Sequence, residues 1–185
     1  MFSVFAIVTP YRYCTISYTS ELNISFGLYN KGNTGESTSK RKESGDNSEN
    51  IVIRLTKCPN CDRKLEKLPV NTPLVDVRCE FCQFRAQIKS HHGKPDGKIS
   101  VQGGGWEVLN KTHKAGYAIS PIIVVFNGKD RPEIRFYPFI LPENLGKPYQ
   151  LGKMHRQAGY KMFNYVGLDA LPYFVWQNGR YIKGN

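Results

Sequence analysis

Residues 75–89 read VDVRCEFCQFRAQIK. Apolar and polar side chains alternate on either side of the Cys79-Glu-Phe-Cys82 tetrad, the pattern of two half-buried strands joined by a tight turn. If Cys79 and Cys82 close the turn, Val77 faces Phe84 and Asp76 faces Arg85. Val75, Val77, Phe84, Ala86 and Ile88 then share an apolar face, and Asp76, Arg85, Gln87 and Lys89 share the other. One hairpin thereby gathers an acid, an amide and a lysine. A surface hairpin with a polar outer side is the bland account of the same pattern.

Upstream stands Cys58-Pro-Asn-Cys61, which makes the set C-x2-C-x17-C-x2-C. Two such turns can present four thiolates to one zinc ion, which favours a tetrahedron of soft ligands. Disulfides are the competing account. They belong to oxidising compartments and small secreted domains, and the apolar start Met1–Val8 has no preceding basic residue and is broken at Pro10, so it makes a poor secretory signal. A fully thiolate-bound zinc has no open position, so Cys58, Cys61, Cys79 and Cys82 read as structural ligands. Cys14 reads as a plain hydrophobic residue.

Working outward, Ile51–Leu55 is strand-like, and residues 91–105 form a polar, Gly-rich loop. Trp106–Ala115 suits a short helix. Pro121–Phe126 is the best buried strand, and Ile134–Leu141 is another. Leu151–Asn164 has a basic, helical look, and Leu171–Gln177 with Arg180–Ile182 frames the turn signal Asn178-Gly179. The class is α/β or α+β, a mixed sheet flanked by helices. Residues 1–47 form an extension and polar linker, and residues 31–50 contain no aliphatic or aromatic side chain. The folded domain runs from 48 to 185.

The chain of 185 residues carries a net charge of +11. Residues 1–50 are neutral on balance, so the excess lies wholly in residues 51–185. Such a charge suits a polyanion, nucleic acid first, or simply a solvated surface. Forty per cent hydrophobic residues exclude wholesale disorder. No run of roughly 18 apolar residues exists to form a spanning helix. Lys111, Lys114, His155, Arg156 and Lys161 are candidate phosphate contacts; solvated helix faces explain them equally well. The glycines at 103–105 lack the Lys-Ser/Thr that would follow in a phosphate-binding loop.

The spacing D-x10-Q-x-K over Asp76, Gln87 and Lys89 is that of a PD-(D/E)xK nuclease with Gln as the second ligand. In such a site a carboxylate and a second oxygen hold Mg²⁺ beside the scissile phosphate, and a lysine orients water or steadies charge.

With the two cysteine pairs, several further pieces follow in order: Ser48–Arg54, Gln87–Gly93, Gly104-Gly-Trp106, Pro121–Phe126, Phe139–Pro142, Arg156–Tyr160, Asn164 and Leu171-Pro172. On these the chain resembles the DpnI / Dam-replacing family of restriction endonucleases, over its catalytic domain only, from about residue 48 to about 180. The resemblance implies a zinc-containing PD-(D/E)xK fold and Mg²⁺-dependent hydrolysis of double-stranded DNA in a restriction or phage-defence setting. Asp76 takes the place of the metal-binding Asp, Gln87 of the Glu and Lys89 of the Lys, with the Ile88 carbonyl as a further ligand. GATC-like or adenine-methylated sequences are the implied targets, the cytoplasm is the implied location, and a homodimer would supply two active sites. Two departures stand out. Gln87 removes a negative charge, and the competing reading is a catalytically inactive zinc-ribbon DNA-binding module. The chain also ends near the close of the core, so the winged helix of the DpnI branch is not expected.

Overall fold

A computed structural model of the chain describes residues 47–70, 72–95, 97–128, 131–152 and 159–184. The extension up to Asp46, Cys14, His155 and Arg156 lie outside the described residues. Helix α1 covers residues 47–55. It is followed by β1 (Glu66–Lys67), β2 (Val77–Arg78), β3 (Arg85–His92), β4 (Val101–Gly105), α2 (Trp106–Lys114), β5 (Ile122–Asn127) and β6 (Glu133–Tyr137). Beyond them come β7 (Tyr149–Gln150), β8 (Lys161–Tyr165), β9 (Phe174–Gln177) and β10 (Arg180–Lys183). The fold is a mixed α/β one. Seven strands form a sheet in the order β1-β2-β3-β5-β6-β9-β10, and β4-β8-β7 form a second, smaller sheet. β3 and β5 run parallel and the other pairs antiparallel. A parallel neighbour requires a crossover, and β4 with α2 supplies it. Among the described residues no helix is long and apolar enough to cross a membrane.

The run Ile122–Phe126 is buried throughout because β5 is flanked on both edges and covered on both faces. Ile123 and Val125 join Ala86, Ile88, Ile134 and Phe136 in a core that also takes Val52 of α1. Ile122, Val124 and Phe126 join Leu109 of α2 and Phe163 and Tyr165 of β8. Alternation along β3 therefore directs Gln87 and Lys89 to the side of the large sheet that the small sheet covers.

Three expectations are corrected. Residues 51–55 are helical, not a strand: Ser48, Val52 and Thr56, four apart, form the buried stripe, while Arg54 and Leu55 face solvent. Thr56 ends the helix by donating both its N–H (2.9 Å) and its hydroxyl (2.8 Å) to the Val52 carbonyl. The β-branched run favours a strand locally, but tertiary burial decides. Residues 91–105 are not one loop, since β3 runs through His92 and Val101–Gly105 is strand. The end of the expected helix over 151–164 is β8, in which Phe163 and Tyr165 point inward and Lys161 outward. The expected helix at Trp106 and the hairpin at Asn178-Gly179 are both present, with φ of 50° and 77° at the two turn residues.

Gly103 is one of the glycines that the packing requires, because an added Cβ would land on the Phe163 ring. Gly103→Ala should therefore destabilise the domain by about 1–3 kcal/mol. Gly152→Ala, where open space surrounds the position, should be near neutral. Thermal unfolding of the two variants checks this.

Candidate active site and metal centre

The four cysteines converge. Their Sγ atoms all lie within 4.8 Å of one another, with Cys58–Cys82 at 3.4 Å and Cys61–Cys79 at 3.5 Å. A zinc tetrahedron with bonds of about 2.3 Å has edges of roughly 3.8 Å, so the donor set fits that ion. The two turns share one hydrogen-bond pattern. In the first, Cys58 N–H donates to Arg63 O and Asp62 N–H to Cys58 O; in the second, Cys79 N–H donates to Phe84 O and Gln83 N–H to Cys79 O. Asp62 and Gln83 occupy the same place in each and both take left-handed φ, 58° and 60°. Burial pushes the Cys58 thiol up strongly. At Cys79 burial acts upward too, but the Cys82 and Phe81 N–H groups and the Cys61 thiol bring it down to about 7.

The extra left-handed residue at Gln83 lengthens the second turn, so the hairpin register differs from the expected one by two residues. Val77 stands opposite Ala86 and Arg78 opposite Arg85. A shift of two exchanges no faces. Val77, Phe84, Ala86 and Ile88 enter the core as expected, whereas Val75, expected on the same face, lines a cleft with Asp76 instead. Asp76 N–H donates to Ala86 O (3.0 Å), so Asp76 and Val77 both face Ala86, a β-bulge that ends the regular register at Asp76.

Beyond that point the Asp76 side chain takes over the edge of β3, its Oδ2 accepting the Ile88 N–H at 2.7 Å. The N–H and C=O of a strand residue point to one edge, so the Ile88 carbonyl lies on the Asp76 side. Gln87 is buried, and its Oε1 accepts the Tyr165 hydroxyl at 2.9 Å. Lys89 Nζ donates to the Gly103 carbonyl at 3.1 Å. Burial raises the Asp76 carboxyl above its ordinary value; the Ile88 N–H and the Lys89 charge oppose this, and Glu49 adds to it. Burial lowers the Lys89 ammonium, against the pull of Asp76 and Glu49. The arrangement offers a carboxylate, an amide and a main-chain oxygen beside a desolvated cation.

Of the expected phosphate contacts, Lys111 and Lys114 are exposed on α2. Lys161 pairs with Glu107 at 3.1 Å, so its charge is already engaged. Trp106 packs edge-on against Phe163, a structural role. Sequence reading missed three contributors. Glu49 of α1 pairs with Lys67 and lines a cleft with Asp76. Tyr165 and Gly103 come from the small sheet. A glycine inside a strand was the available signal for Gly103; Tyr165 carries none that is local.

A family model described as DpnI: Dam-replacing family matches residues 28–173, a span that holds both cysteine pairs, Asp76, Gln87, Lys89 and Tyr165. No curated protein matches the chain.

Two outcomes follow. Stripping the metal with a chelator, or Cys58→Ser, should lower stability by about 3 kcal/mol or more, since ligand geometry and folding are coupled; thermal unfolding with metal quantification checks it. Because the folded Asp76 keeps its proton above the unfolded pKa, its contribution to stability should fall as pH rises through the window between the two values. Asp76→Asn should remove that component of the unfolding-versus-pH profile and raise stability at neutral pH.

Proposed function

The chain belongs to the DpnI, Dam-replacing family, and on that premise we propose that it is a Mg²⁺-dependent endonuclease that hydrolyses phosphodiester bonds in double-stranded DNA. The observation that carries this reading is the Asp76 carboxylate on the Ile88 N–H, between Gln87 and Lys89 on β3. Family membership carries the substrate class, and the net charge of +11 suits it. Residues 48–185 form the nuclease domain in this reading.

The donor set fits a hard divalent ion. A half-buried carboxylate with a raised pKa is a group whose charge lacks compensation, and Asp76, the Gln87 amide oxygen and the Ile88 carbonyl are all oxygen donors. When bound, Mg²⁺ supplies charge neutralisation at the scissile phosphate and eases deprotonation of the attacking water. The protein's own groups do the rest. Asp76 is held in place through Ile88, and Lys89, its pKa lowered by burial, can pass a proton or steady the phosphate oxygens. Cys58, Cys61, Cys79 and Cys82 hold a structural zinc away from the chemistry. Sequence-specific cutting of GATC-like or adenine-methylated sites, a cytoplasmic setting and a homodimer complete the proposal.

One observation favours a second reading, a zinc-stabilised DNA-binding module without catalysis: Gln87 stands where the pattern has an acid. The assay that separates them incubates plasmid from methylating and non-methylating hosts with the protein and Mg²⁺ or Mn²⁺. Asp76→Ala and Lys89→Ala should each reduce cleavage by about 10²-fold or more while the fold survives. Discrete bands would show sequence specificity, and a host difference would show methyl dependence. DNA binding without cutting by either metal would decide for the binding module.

A further inference from the structure

An amide is a less forgiving metal ligand than a carboxylate. A carboxylate offers an oxygen whichever way it turns; an amide offers oxygen at one end and an N–H donor at the other. Gln87 is 8% exposed, so little water is present to choose for it. The structure shows what does. The Tyr165 hydroxyl donates to Oε1 at 2.9 Å. The Nε2 end lies toward Gly104, 4.0 Å from where a Cβ on that residue would stand. Asp76 reaches the same stretch of β3 from its edge, its Oδ2 accepting the Ile88 N–H at 2.7 Å. A carbonyl oxygen has two lone pairs, so the one not engaged by Tyr165 remains for a cation.

Tyr165 is itself held. Its residue exposure is 2%, its ring meets Phe163 edge-on at 5.0 Å, and its backbone pairs with Val101 and Leu145. A buried hydroxyl without a partner would be costly, so Tyr165 and Gln87 satisfy each other, with the hydroxyl donating to the amide oxygen.

We propose that Tyr165 is a positioning residue for the metal site: its hydroxyl engages the Gln87 amide oxygen and leaves the nitrogen end toward Gly104, so that the oxygen is the end offered to a cation. The proposal rests on the nuclease reading above and explains how a glutamine can serve in an acid's place.

The test uses the full zinc-loaded chain and reads Mn²⁺ affinity by calorimetry, beside the metal dependence of plasmid cleavage. Tyr165→Phe removes one oxygen and should weaken Mn²⁺ binding about three- to tenfold, the effect of one lost hydrogen bond. On a Gln87→Glu background the same substitution should change affinity less than twofold, because a carboxylate needs no turning. A merely structural tyrosine would instead weaken binding equally on both backgrounds, or leave it unchanged on both, and either result overturns the proposal while leaving the nuclease reading intact. Wild-type protein that neither binds Mn²⁺ nor cuts would overturn both. Should Tyr165→Phe fail to fold, Tyr165→Met fills the space flexibly and carries the same expectation.

Discussion

Four sulfur atoms within 4.8 Å of one another tie the segment after α1 to the tip of the β2–β3 hairpin, and the candidate site hangs from that knot. The knot sets the length of the second turn, and turn length sets register. Register in turn brings Asp76 to Ala86, from where its carboxylate reaches the Ile88 N–H. Cys58 and Cys79 are almost wholly buried and belong to the same apolar core as Val77, Phe84 and Ile88. Metal cluster and hydrophobic core are thus one unit, which suits a site whose chemistry needs two strands held rigidly at their ends.

Above that unit, Lys89 and Arg135, both facing Val124 across the strands, are two cations on the same side of the large sheet that are treated differently. Arg135 is fully provided for: Glu133 accepts from its Nε at 2.6 Å and the Tyr173 ring lies 4.3 Å from its guanidinium. Lys89 leans on a neutral carbonyl, with Asp76 as the main opposing charge. The first arrangement is a structural cation. The second leaves an ammonium and a carboxylate both burdened by desolvation, which is how functional sites give up stability.

Much of this was legible in the sequence because it is local. Cysteine spacing, the alternation along 84–89, the apolar run of β5 and the Asn178-Gly179 turn each depend on neighbours within a few residues. The two-residue shift at Val77 moved no side chain of β3 to the other face, and the bulge at Asp76 was the part the alternation could not foretell. What was illegible depends on distant partners. Val52 sits in a helix because its face meets the sheet, not because Ile-Val-Ile favours helix. Lys161–Tyr165 alternates as a strand should, but the basic run before it suggested a helix. Tyr165 reads as one more aromatic until the small sheet is folded over β3.

Tyr165 lies 78 residues beyond Gln87, whereas the four cysteines fall within residues 58–82. A chain growing from its N-terminus can tie the metal knot as soon as Cys82 is available. It cannot give Gln87 its hydroxyl partner until most of its length has been made, and contacts of such separation also form late in refolding. Order of appearance along the polypeptide therefore separates stability from competence. The four thiols can come together first, and the Gln87 amide gains its hydroxyl partner only once nearly the whole domain is present. A partly synthesised or C-terminally clipped molecule would keep the cysteine cluster and lack the Tyr165–Gln87 contact.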